Sequence, residues 1–139
     1  MRIHSSVRSS INHHEAVVCT NGQSHGLEIP PNAEGRGSSV NGGELLLLAL
    51  ATCYCNDVYR EAARRAIPIE AVEVTAEAEF AAEGQAASSV SYRARVTANA
   101  SEAAIVELLQ YTDRVAEIQN TVRAPVPVSL ASIEAVVAP

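Results

Sequence analysis

The chain has 139 residues, nearly half of them apolar, and a formal net charge of −6. That balance argues against general nucleic-acid binding, which needs a basic surface to neutralise phosphates, and the length suits one domain with its own core. With one Phe, four Tyr and no Trp, such a core is aliphatic, and with no Lys every fixed positive side chain is an Arg.

The first forty residues read as a small antiparallel meander. β-prone pieces lie around residues 3–8, 16–20 and 26–29, broken at 9–12 and at Asn21-Gly22, a favoured hairpin turn because both residues tolerate positive φ. Pro30-Pro31 and the Gly-, Ser- and Asn-rich stretch to Gly43 predict a loop. A helix is expected from about Glu44 to about Ala66, with Glu44 at the positive end of its dipole, Arg60, Arg64 and Arg65 near the other, and Pro68 stopping it. Its first half is apolar on all sides and is predicted to be buried all round. Val72, Val74, Ala76, Ala78 and Phe80 alternate with Glu73, Thr75, Glu77 and Glu79, a half-buried strand with an acidic face. Glu83-Gly84 predicts a turn, and Val90, Tyr92, Ala94 and Val96 a return strand. Ser101 suits the N-cap of a second helix from Glu102 to about Glu117, with Ile105, Leu108, Leu109, Val115 and Ala116 on one face. Pro125 and Pro127 bar a central strand, and a last strand is expected within 128–137.

The stretch from Glu44 to Asp57 holds two of the three cysteines. Free cysteine commonly packs as a small hydrophobe, and Cys55, on a face with Leu48, Ala51 and Tyr59, fits that reading. Cys53 keeps different company. Leu46, Ala49 and Leu50 precede it on one face, and Asn56, Asp57 and Arg60 follow. The face turns polar at the thiol, as it does at the edge of a pocket. Cys53 lies about nine residues in, roughly 13 Å along the axis, where the dipole no longer helps a thiolate. A nearby cation is needed to lower its pKa. Asp57 would raise that pKa and Arg60 offset it, unless the two pair with each other.

Glu44-Leu45-Leu46-Leu47-x-Ala49-Leu50-x-x-Cys53-x-x-x-Asp57-Val58 resembles the central helix of the OsmC/Ohr family. The order of elements along most of the chain is similar too. The resemblance implies an α+β fold with a meander, a long central helix, a hairpin, a second helix and a final strand, in an intertwined homodimer with reactive sites at the subunit interface. It implies that Cys53 reduces peroxides, supported by an Arg from the N-terminal meander held by a Glu at the start of the central helix. Arg8 is the nearest candidate and Arg36 the second. Peroxide-reducing members commonly carry that Glu ten positions before the cysteine, where this chain has Gly43; Glu44 stands nine before, as in many other relatives. Such members also have a second cysteine in a run like Cys-Pro-Val-x-Asn-Thr-Leu. Here the run is Ala116-Glu117-Ile118-Gln119-Asn120-Thr121-Val122, so the usual internal disulfide has no partner. Cys55 points away from Cys53 by about 200°, and Cys19 serves only if the fold brings it close.

Two functions follow. One is a thiol-dependent reductase of organic hydroperoxides, with an apolar pocket lined by Leu46, Ala49 and Leu50 and an external thiol as reductant. The other is a non-catalytic OsmC-fold dimer that binds a small apolar ligand. No phosphate loop, nucleotide fingerprint or Ser-His-Asp motif is present, so no cofactor is expected. His13 and His14, adjacent on a strand, point to opposite faces and predict no metal site. Three irregularly spaced cysteines predict no disulfide framework, and a reducing cytoplasm is the expected compartment. The chain opens without the apolar stretch of a signal peptide. The apolar run from Leu45 to Ala51 is shorter than the ~20 residues that span a bilayer.

Overall fold

Asn21 and Gly22 take left-handed backbone angles, φ 50° and 84°, which a tight two-residue hairpin requires. In the computed structural model, which describes residues 1–139, the turn joins β2 (His13–Thr20) to β3 (Gln23–Leu27), and β1 (Ile3–Ser10) pairs with β2 on the other side. The first hairpin is longer than predicted. Ser9 and Ser10 stay in the ladder opposite His14 and His13, and Asn12, at φ 57°, makes the turn. β3 likewise begins at Gln23 rather than near residue 26. Within this sheet the buried residues are Ala16 and Cys19, both on β2.

The loop that follows is held by its own side chains. Asn32 Oδ1 accepts the N–H groups of Glu34 and Arg36 at 3.1 and 3.0 Å. Asn12 donates its N–H to Gly35 O at 2.7 Å. Gly35 has φ +72°, and a Cβ there would lie 2.1 Å from Asn12 Oδ1, so the closure demands glycine.

Helix α1 (Gly42–Arg64) starts two residues earlier than the sequence suggests. Asn41 Oδ1 accepts the Glu44 N–H at 2.9 Å, and Glu44 Oε2 accepts the Asn41 N–H at 2.8 Å. This reciprocal pair is a capping box, with Asn in place of the usual Ser or Thr. At the far end Ala66 is left-handed, φ 52°. Ile67 N–H returns to Ala62 O and Ala66 N–H to Ala63 O, which closes the helix in a Schellman motif one residue before Pro68. The expected burial of its first half is not what the chain shows. Leu45, Leu46 and Leu48 are exposed, Leu48 by 60%, and within the 45–50 run it is Leu50 that is buried. An all-round apolar run needs cover on every side, and a single chain does not supply it.

The chain divides into two compact units, Met1–Leu47 and Leu48–Pro139. In the second, β4 (Ile69–Phe80) and β5 (Ala87–Ala98) form an antiparallel hairpin. A register shift between Ile69 and Ala71 resets the alternation, so that Ile69, Val72 and Val74 all join the core face. Tyr54, Val58, Ala62, Leu108 and Ala116 form the buried centre, with Tyr92, Ala94 and Val96 of β5 packed against it. Helix α2 (Glu102–Val115) is capped by Ser101, whose side chain accepts the Ala104 N–H at 3.2 Å. The predicted helix then breaks at Ala116 (ψ 112°), and a third helix, α3 (Glu117–Arg123), follows. Side chains satisfy carbonyls left free by the break: Asn120 Nδ2 donates to Arg114 O at 3.0 Å and Arg123 Nη1 to Asp113 O at 3.1 Å.

The final strand expected within 128–137 is absent. Residues 121–139 are exposed throughout, and those after Ala124 join no helix or strand. Pro125 and Pro127 lack the N–H groups a ladder needs, and no strand of the chain pairs with the segment beyond them. No helix is long and apolar enough to cross a membrane.

Candidate functional site

Cys53 sits in the middle of α1, half-buried against the core centred on Tyr54, Val58 and Leu108. Its sulfur donates to Asp57 Oδ2 at 3.6 Å, one turn along the helix. The backbone N–H of Ile118, left free by the break before α3, faces the sulfur and favours the thiolate. Asp57 is 5% exposed, and its other oxygen, Oδ1, accepts from Arg60 Nη1 at 2.6 Å. The pairing of Asp57 with Arg60, one of the two outcomes the sequence left open, is therefore present. Glu117 Oε1 lies 3.7 Å from the same guanidinium nitrogen.

These neighbours favour the thiol over the thiolate. Burial pushes its pKa up, the Ile118 N–H pulls it down, and the charges of Asp57 and Glu117 push it up again, leaving it above the ordinary value. Asp57 itself is raised: burial and the Glu117 charge outweigh the opposing pull of Arg60. Sγ and the carboxylates of Asp57 and Glu117 have ligand atoms within 4.8 Å of one another, a donor set a cation would suit. The positive charge among them is the Arg60 guanidinium.

Glu61, the next residue, is 2% exposed and receives Arg60 at 3.1 Å, Arg64 at 2.7 Å and Arg65 at 3.1 Å. Burial alone would raise its carboxyl. The hydrogen bonds from Arg60 and Arg65 and the charge of Arg64 hold it below the usual range.

Of the three apolar residues expected to line a pocket, Leu50 borders a hollow of about 240 Å³ together with Val90, Tyr92, Gln119, Val122 and Arg123. Leu46 and Ala49 lie on an exposed part of the helix. Beside the hollow, the Tyr92 hydroxyl donates to Asp113, which also accepts from Arg123 at 2.6 Å. Tyr54 packs against Tyr92 in a tilted pair, 4.9 Å between ring centroids, and its hydroxyl donates to Leu109 O at 2.8 Å.

The remaining expected site residues belong to the first unit. Arg8 lies on β1 opposite Glu15, and Arg36 follows Gly35 in the loop; both are exposed. Glu44 is engaged in the α1 cap. Cys19 is buried on β2. Sequence reasoning did not single out Glu117 or the Ile118 N–H, because they reach the thiol only through a helix break that neither Pro nor Gly announces.

Antiparallel sheets and three helices define an α+β fold, which carries a half-buried helical cysteine set among acids. The model of the family described as OsmC-like protein matches residues 35–131, and the chain belongs to that family. Among curated proteins there is no significant match. Solved structures share the fold. An OsmC-like protein from Mycoplasma pneumoniae is 16% identical, with 89% of this chain and 87% of that one covered and a TM-score of 0.62. An organic hydroperoxide resistance protein from Legionella pneumophila is 20% identical, with 88% and 90% covered and a TM-score of 0.59. A putative organic hydroperoxide resistance protein from Vibrio cholerae, with captopril bound in one of its active sites, is 18% identical, with 90% and 86% covered and a TM-score of 0.52.

Proposed function

We propose that the protein reduces organic hydroperoxides through Cys53, without a second cysteine of its own. The observation that carries this reading is the setting of Cys53: its sulfur is half-buried at an apolar-to-polar boundary and donates to Asp57. Membership of the OsmC-like family and the hydroperoxide-resistance relatives support it. The sulfur attacks one peroxide oxygen, the O–O bond breaks, and an alcohol leaves a sulfenic acid on Cys53. One external thiol converts that acid to a mixed disulfide with loss of water, and a second releases the reduced cysteine. Arg8, Arg36 and Glu44 remain the proposed supporters of the thiolate, and Leu46, Ala49 and Leu50 the apolar surface for the substrate.

The protein acts in this reading as a homodimer. Ile3, Val7, Ile11, Leu48, Leu130, Ile133 and Val137 are all exposed, an apolar load that a second copy would cover. Sedimentation showing a monomer at micromolar concentration contradicts this part.

The test is consumption of cumene hydroperoxide with a dithiol as reductant. Cys53→Ser should abolish it and Cys55→Ser leave most of it; equal loss in two folded variants would show the roles wrongly assigned. Arg8→Ala, Arg36→Ala and Glu44→Gln identify the supporting groups by which of them slows the reaction. A second reading, a non-catalytic dimer that binds a small apolar ligand, draws on the thiol donating to Asp57 and on Ala116 in the place of a second cysteine. Wild-type protein that never oxidises at Cys53 would favour it.

A further inference from the structure

We propose that Asp57 is a catalytic residue of this reaction: its carboxylate takes the Cys53 proton and delivers it to the oxygen that leaves when the peroxide bond breaks. The inference rests on the hydroperoxide reading and adds to it the route of the proton.

On α1, the two oxygens of Asp57 meet different groups, and Glu117 of α3 also faces this carboxyl. Oδ1 is fixed by Arg60 at 2.6 Å, which leaves Oδ2 turned to the sulfur at 3.6 Å. One helical turn separates the residues, so the backbone sets the contact and the core holds it. The groups facing the pair are Arg60 on α1, and Glu117 and the Ile118 N–H on α3. A fixed carboxylate beside a thiol is a poor device for storing a thiolate, since like charges disfavour each other. It is a good device for moving a proton. Reduction of a hydroperoxide must take a proton from sulfur and supply one to an alkoxide, a leaving group too basic to depart easily alone. Burial and the Glu117 charge raise the proton affinity of Asp57, so that it can carry the proton between the two steps. Arg60 meanwhile keeps its carboxyl oriented.

The step balances without an outside reagent. The S–O bond forms as the O–O bond breaks. The sulfur loses two electrons and the peroxide gains them. The proton passes from Sγ to Oδ2 to the departing oxygen, giving Cys53 sulfenic acid and an alcohol.

Two reactions of the same thiol separate this role from simple repulsion. Alkylation by iodoacetamide expels iodide, which needs no proton, whereas hydroperoxide reduction does. In the full-length protein at pH 7, Asp57→Asn should alkylate several-fold faster at Cys53, because the repelling charge is gone. The same variant should reduce cumene hydroperoxide about 100-fold more slowly, within the range of a lost general acid–base. If both rates rise together, Asp57 merely repels the thiolate and the proposal is overturned; unchanged alkylation overturns the contact itself. Circular dichroism checks the fold. Should Asp57→Asn fail to fold, Glu117→Gln, at an exposed position, decides the matter: it weakens the hold of Asp57 on its proton, so alkylation should rise and reduction fall. A rise in both there also refutes the shuttle. Wild-type protein with no hydroperoxide turnover overturns the function and the delivery step together. Failure of the shuttle alone is distinct, because wild-type turnover then persists.

Discussion

Replacing Ala116 by Cys should give the protein an internal disulfide and a stability that depends on redox state. Ala116 is fully buried at the break between α2 and α3. It belongs to the cluster against which Cys53 packs, and the N–H two residues later faces the Cys53 sulfur. In the reduced variant a sulfur atom must fit into a closed site, and overpacking of this kind costs about 1–3 kcal/mol. Oxidation to Cys53 closes a loop of roughly 60 residues, for which the chain-entropy relation gives about 4 kcal/mol of stabilisation. The two forms of the variant should thus straddle the parent. At a urea dependence of about 1–3 kcal/mol per molar, their midpoints should differ by about 1–4 M. The assay is urea unfolding with and without reductant, after one equivalent of cumene hydroperoxide, with intact mass reporting the loss of two hydrogens. Unchanged mass and coincident midpoints would refute the argument that Ala116 stands where a resolving thiol belongs.

Alkylation of Cys53 in the wild-type chain should keep rising beyond the ordinary thiol range of about 8.5, because burial and the Asp57 charge raise its pKa; a midpoint below about 8 would mean that one of the proposed supporting arginines, Arg8 or Arg36, outweighs them. Asp113 is held below the usual carboxylate range: burial would raise it, but hydrogen bonds from Tyr92 and Arg123 prevail. A depressed carboxyl adds stability above its unfolded pKa of about 3.9 and loses it as pH falls through the folded value. Asp113→Asn should therefore flatten the acid side of the stability profile, by about 1 kcal/mol at this 42% exposed side chain, and an unchanged acid limb argues against the pairing. Leu108→Ala, at a site with no exposure, should lower unfolding free energy by about 2–5 kcal/mol. Ser101→Ala should cost about 1 kcal/mol by removing the α2 cap, and chemical denaturation measures both.

Legibility in the sequence followed locality. Asn21-Gly22 announced its turn because the backbone angles are a property of those two residues. Ser101 announced its cap, and the alternation after Ile69 its strand, for the same reason. The cap of α1 was also there to read, in Asn41-Gly42-Gly43-Glu44, but two glycines ahead of the Leu run disguised it. What escaped depends on residues far apart. The break at Ala116 is held by Asn120 and Arg123 reaching back to carbonyls, and local propensity through this stretch favours a continuous helix. The face of α1 showed that Cys53 meets polar groups and left open whether Asp57 would pair with Arg60. It did not show that Glu117 would join them, since that takes α3. The last strand expected within 128–137 did not form because a strand needs a neighbour, and a segment's own sequence says nothing of what it pairs with.

Arg60 has three acids within reach, at 2.6 Å for Asp57, 3.1 Å for Glu61 and 3.7 Å for Glu117. When Asp57 is protonated, the guanidinium still has two anions to hold it, one of them buried. The site can thus change its charge by one without leaving the half-exposed guanidinium unpaired. It behaves as a small electrical capacitor built into one helix face. Charging it is a matter of hydrogen-bond exchange, which is fast compared with the microsecond-to-millisecond motions of lids and loops. A thiol beside such a reservoir has no need of a moving part to manage its proton.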